Sequence, residues 1–124
     1  MSMIVAIPSE APGGAEAPLS AHFGQCPTFT LAKIDGDQAE VIEVVPGVPH
    51  SHGGCMAPVQ LLAGRGVSVL IAAGMGRGPL MGCLRSGITV HLCPAPGTVT
   101  EVLARFKAGE LPPFQPEHSC ASHG

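Results

Sequence analysis

Apolar positions along this chain fall into short runs separated by glycine and proline. That is the pattern of a sheet with brief helices rather than of a helical bundle. Residues 3–7 are a continuous apolar run stopped by Pro8, which predicts a buried strand. Residues 9–19, rich in Ala, Pro and Gly, read as a loop. Residues 28–34 alternate well enough for a second strand, and Asp35-Gly36-Asp37 is a hairpin signal that makes residues 38–45 its antiparallel partner. After a loop over residues 46–54, residues 56–63 suit a short helix with Pro58 in its first turn. Residues 67–73 are almost unbroken in apolar character, as expected of a strand covered on both faces. The glycine loop at 74–78 then opens a second helix, with Pro79 in its first turn and Gly87 closing it, and residues 88–93 give the last strand.

The final helix has the clearest local signature. Thr98 and Glu101 have the spacing of a capping box, Val99, Val102, Leu103 and Phe106 follow at helical intervals, and Gly109 marks the end. Residues 110–124 show no periodicity. The expected organisation is one cofactor-binding α/β domain over residues 1–111, followed by a mobile His- and Cys-containing tail over residues 112–124. A hairpin joined to repeated αβ units implies a mixed five-stranded sheet with helices on its faces. In such sheets ligands sit where loops leave the carboxyl ends of the parallel strands, which selects loops 9–26, 46–55 and 74–78.

Composition narrows the function classes. The hydrophobic share of 45% in a chain of 124 residues supports one packed core, but an aromatic share of 3% means that it is built from aliphatic side chains. Only six Lys plus Arg and a net charge of −3 leave no basic stripe for nucleic acid. No run approaches the roughly 18 apolar residues of a membrane span. Five cysteines with no basic, secretory-type start predict free thiols in a reducing cytoplasm.

Candidate chemistry concentrates in three loops. His50, His52 and Cys55 place two imidazoles and a thiol in a glycine-rich stretch, donors that suit late transition metals and metal sulfides better than Mg²⁺ or Ca²⁺. If residues 50–52 are extended, both imidazoles project to one side; as a solvated surface loop they would bind nothing. His22 and Cys26 flank Gly24 and are candidates for cofactor contact, against the alternative that Phe23 merely anchors the loop. Gly74-Met75-Gly76-Arg77-Gly78 precedes a helix start, where backbone N–H groups favour an anion and Arg77 supplies countercharge. Met75 offers a soft ligand or an apolar wall, and Gly76 a close backbone approach. The stretch fails as a dinucleotide fingerprint, because Pro79 replaces the third glycine and no acidic residue follows at the required distance. His118, Cys120 and His123 repeat the soft-donor theme in the tail as candidate metal ligands. Cys83, Cys93 and His91 read as buried or edge packing residues.

Catalysis is not expected. Two-metal phosphoryl chemistry needs converging carboxylates that the first and fourth strands lack, and no Cys-x-x-Cys pair is present for thiol redox work.

Several motifs together carry a family resemblance: Ser20-Ala21-His22-Phe23-Gly24, Gly64-Arg65-Gly66-Val67, the strand-to-Gly74-Met75-Gly76 turn, Gly87-Ile88 and Lys107-Ala108-Gly109-Glu110-Leu111. Over residues 1 to about 111 the chain resembles the dinitrogenase iron–molybdenum cofactor biosynthesis family. It is similar above all to the small single-domain members typified by orange proteins. The resemblance implies a ribonuclease H-like fold and non-covalent binding of an anionic metal–sulfide cluster, a molybdenum–copper sulfide in the orange proteins. It further implies a cluster-donor or acceptor protein as partner. A thiolate-ligating copper or iron–sulfur chaperone and a metal-free interaction module are the alternative expectations.

Overall fold

The computed structural model describes residues 2–21, 23, 26–47 and 56–114, with the backbone alone for Met56 and Ala57. Eight elements follow in the order β1 (Ser2–Ser9), β2 (Thr28–Asp35), β3 (Gln38–Pro46), α1 (Met56–Gly64), β4 (Val69–Ala72), α2 (Arg77–Arg85), β5 (Thr89–Leu92) and α3 (Val99–Lys107). They form one five-stranded sheet in the order β3-β2-β1-β4-β5. Strands β1, β4 and β5 are parallel, and the β1–β2 and β2–β3 pairs are antiparallel. The expected mixed α/β sheet with three helices is therefore present.

Alternation along the central strands feeds two apolar layers. Ala6, Leu70, Ala72 and Val90 face α1 and α2, where Val59, Leu62, Leu80 and Cys83 meet them. Val5, Ile7, Val69 and Ile71 face the opposite way and receive Val99, Val102 and Leu103 of α3. Both layers use small and branched aliphatic residues, as the low aromatic content requires.

Pro8 does not end β1, which continues to Ser9 with Pro8 opposite Phe29. The Pro8 carbonyl accepts from the Ser20 N–H at 2.8 Å, so Pro8 directs its backbone groups away from β2 and the β1–β2 ladder loses no donor. A bulge between Leu31 and Ala32 leaves Ile42 without an opposite number, and β3 is a largely exposed edge.

The other edge is covered. Residues 111–114, expected to straddle the start of a structureless tail, lie antiparallel on β5. The Leu92 N–H donates to Pro112 O and the Phe114 N–H to Val90 O, both at 2.8 Å. Leu111 packs into the α3 layer and Phe114 into the α1–α2 layer, one anchor on each face of the sheet. Two anchors spaced this way have no period to detect, and an exposed parallel edge is what they relieve. The ordered domain thus reaches at least to Phe114; residues 115–124 lie outside the described residues.

Candidate functional site

Strand register decides which loops meet. Ser9 is opposite Thr28, and Thr28 is opposite Pro46, so the β1–β2 loop and the chain leaving β3 share one end of the sheet. The parallel strands β1, β4 and β5 finish at that same end, which adds the β4–α2 and β5–α3 loops. Hydrogen bonds stitch these loops together: Gly47 N–H to Pro27 O at 2.8 Å, Phe23 N–H to Gly74 O at 3.3 Å, and Leu19 N–H to Gly97 O at 2.8 Å.

The root of the first loop is held by hydroxyl groups that sequence patterning passed over. The Ser9 Oγ lies 2.7 Å from Thr30 Oγ1 and 3.0 Å from Thr28 Oγ1, and Thr30 Oγ1 also accepts from the Gly14 N–H at 3.0 Å. Ser9 and Thr30 are fully buried. Their small polar side chains at strand ends were the only available signal, and hydroxyls are common enough there to go unnoticed.

Four of the residues singled out by sequence fall within the described chain, and the structure divides them. Cys26 is not poised at the open edge. Its side chain lies in the α1–α2 layer, donates to Phe23 O at 3.3 Å, and burial pushes its thiol up to about 12. At neutral pH it is a packed thiol and not a thiolate, which removes the reason for expecting it to ligate a metal. Met75 is likewise a core residue, 4% exposed. Both placements have one cause: a loop crossing the end of a layered sheet must bury something, and its apolar side chains go inward.

Gly76 and Arg77 are placed as expected. Gly76 caps α2 in an extended conformation (φ −74°, ψ 165°) with no side-chain capping bond, and the first turn carries no acidic residue. Among the described residues, the N–H groups of Arg77 and Gly78 have no acceptor, and Pro79 has no N–H to satisfy. Arg77 is exposed and the ion pair of the described residues joins Arg65 to Glu43 instead. His22, His50, His52, Cys55, His118, Cys120 and His123 lie outside the described residues. Among those described, no three His, Cys, Asp or Glu side chains group as metal ligands would.

The candidate site is therefore a helix start at the carboxyl edge of the parallel strands, a position whose N–H groups suit an anion. A profile of the family described as dinitrogenase iron–molybdenum cofactor matches residues 1–109, and the chain belongs to that family. A Thermotoga protein solved by NMR as a candidate NifB protein is 30% identical, with a TM-score of 0.73 over 91% of this chain and 97% of its own. The apo orange protein of Desulfovibrio gigas, 24% identical, shares the fold with a TM-score of 0.76 over 91% of this chain and 97% of its own. So does a Methanocaldococcus jannaschii protein solved as a candidate dinitrogenase, 16% identical, with a TM-score of 0.73 over 93% and 97%. No curated protein sequence matches the chain.

Proposed function

We propose that this protein binds and carries an anionic metal–sulfide cluster containing molybdenum, with or without copper, without forming protein–metal bonds from the described residues. The observation that carries the reading is the start of α2: N–H groups at Arg77 and Gly78 and an exposed guanidinium at Arg77 that find no partner among the described residues. A sulfide-capped cluster needs hydrogen-bond donors and positive charge at its surface, and this terminus supplies both. Burial of Cys26 favours such carriage over a thiolate chaperone that would use that residue. Family membership supports association with a metal cofactor, and likeness to the orange protein fits this fold.

The histidines at 22, 50 and 52 enter the proposal as candidate cofactor contacts, with Cys55, His118, Cys120 and His123 as candidate metal ligands. The role is carriage and not catalysis, and a cluster-donor or acceptor protein is the natural partner. We assign the chain to the cytoplasm. That fits the free thiols of Cys26, Cys83 and Cys93 and the absence, among the described residues, of a helix long and apolar enough to cross a membrane. A ribonuclease H-like assignment is supported by the order β3-β2-β1-β4-β5 with helices on both faces.

Metal and acid-labile sulfide analysis, with an absorption spectrum, on protein purified without an affinity column tests the reading. Molybdenum with sulfide and visible charge-transfer bands is the expected result. A colourless protein that takes up nothing from tetrathiomolybdate plus copper(I) overturns it.

A further inference from the structure

Between the end of β3 and the start of α2 runs a continuous line of short contacts. The Gly47 N–H donates to Pro27 O at 2.8 Å. The Cys26 carbonyl oxygen presses so closely on Gly47 that a Cβ there would overlap it. The Cys26 thiol donates to Phe23 O at 3.3 Å. Phe23, 2% exposed and tilted against Phe29 at 5.6 Å, in turn donates its N–H to Gly74 O at 3.3 Å. Gly74 stands two residues before the cap of α2, and a Cβ on it would meet Ala21 O at 3.2 Å.

We propose that Gly47, Cys26 and Phe23 form a brace that sets the position of the α2 N-terminus, with Gly47 and Cys26 as positioning residues for the anionic cargo. The cargo part rests on the reading under Proposed function; the mechanical part does not. Each link is a backbone group or a buried side chain, so there is no flexible tip to absorb a displacement. An added methyl at Gly47 has to move the Cys26 peptide. Because the Cys26 thiol is bonded to Phe23 O and the Phe23 N–H to Gly74 O, the movement is delivered to the N–H groups of Arg77 and Gly78. The brace also gives Cys26 a role that needs no thiolate: its S–H ties it to Phe23.

Gly47→Ala and Cys26→Ala are the test variants, and Gly64→Ala, where nothing lies within 4 Å of the added methyl, is the control. Amide NMR spectra of the cargo-free proteins are read first. The expected result is that Gly47→Ala and Cys26→Ala shift the amides of residues 23–26 and also of 74–78, while Gly64→Ala leaves both groups in place. Unmoved 74–78 amides in both brace variants overturn the brace, whether or not the protein binds any cluster. Wild type and variants are then loaded with tetrathiomolybdate plus copper(I), and release is followed in the presence of a chelator. Release about tenfold faster in the brace variants, with unchanged band positions, is expected of residues that act through the site's support. Wild-type release rates overturn the positioning role. A band shift in Cys26→Ala, which marks direct ligation, overturns it equally. If Gly47→Ala does not fold, the Cys26 variant decides both points. If the wild type takes up no cluster, the carriage reading falls and the brace stands or falls on the amide shifts.

Discussion

Helices α2 and α3 both begin at the carboxyl edge of the parallel strands, α2 after β4 and α3 after β5, yet their first turns are finished differently. In α3 the Thr98 hydroxyl accepts from the Glu101 N–H at 3.2 Å, and the Glu101 carboxylate accepts from the Thr98 N–H at 2.8 Å. The Val99 and Thr100 N–H groups donate to Ala17 O and Ala15 O, both at 2.9 Å. Every donor of that turn has a partner, and a negative side chain sits at the positive end of the helix dipole. In α2 the cap is a glycine, the leading N–H groups have no acceptor among the described residues, and the residue at the first position is a cation. A positive charge there is unfavourable by roughly 0.3–1 kcal/mol in isolation. Helix physics explains α3 completely and leaves α2 lacking an anion. Local rules broken in one helix and kept in its neighbour are the contrast on which the proposed cargo site rests.

Charge reversal at the open terminus is expected to have the largest effect. Arg77→Glu should weaken cluster retention by roughly 100-fold, the order expected when a near charge changes sign at a partly solvated site. The thermal midpoint should not fall, since the helix dipole favours the new carboxylate. Retention at wild-type level would take Arg77 out of the site. Next comes Gly76→Asp, which finishes α2 in the manner of α3. The helix should gain a few tenths of a kcal/mol, while the new carboxylate occupies the donors and weakens cargo binding by about tenfold. A stabilised protein that binds as before would show that the open N–H groups are not used.

Thr98→Ala makes the opposite change, opening the closed terminus. It should cost about 1 kcal/mol and lower the thermal midpoint by about 4 °C. Cluster retention should be unchanged; if it falls, the two termini are not functionally separate. The smallest effect concerns acid. The Thr98 N–H, and secondarily its hydroxyl and Arg105, hold the Glu101 carboxyl below its ordinary value of 4.5. A carboxyl lowered on folding stabilises the fold above its ordinary value, and that contribution is lost as pH falls through the lowered one. Thermal midpoints recorded from pH 6 downward should therefore decline less steeply below 4.5 in Glu101→Gln than in wild type. Parallel curves would remove Glu101 as the source.

Legibility in the sequence followed the range of the interaction. The α3 capping box was readable because Thr98 and Glu101 are three residues apart, and the hairpin because its turn residues are adjacent. The start of α2 was readable for the same reason, since Gly76, Arg77, Gly78 and Pro79 in succession state what the turn lacks. Cys26 and Met75, named as candidate cofactor contacts, turned out to be buried. Residue type alone cannot tell a sulfur that faces a ligand from one that faces a core, and only the packing of α1 and α2 over the sheet settled it. The strap of residues 111–114 was missed because its partner, β5, is supplied by another part of the chain. The brace from Gly47 to Gly74 was missed because its links are long-range backbone contacts.

The sequence by itself determined the elements, their order, the two apolar layers and the anion-receptive character of the β4–α2 turn, because period, caps and turn residues act over a few positions. Tertiary structure alone decided which hydrogen bonds tie the loops after β1, β3 and β4 together at their shared edge, that the α3 terminus is closed by carbonyls of the first loop, and that Cys26 faces inward. Those outcomes depend on strand order and register, which bring together groups dozens of residues apart.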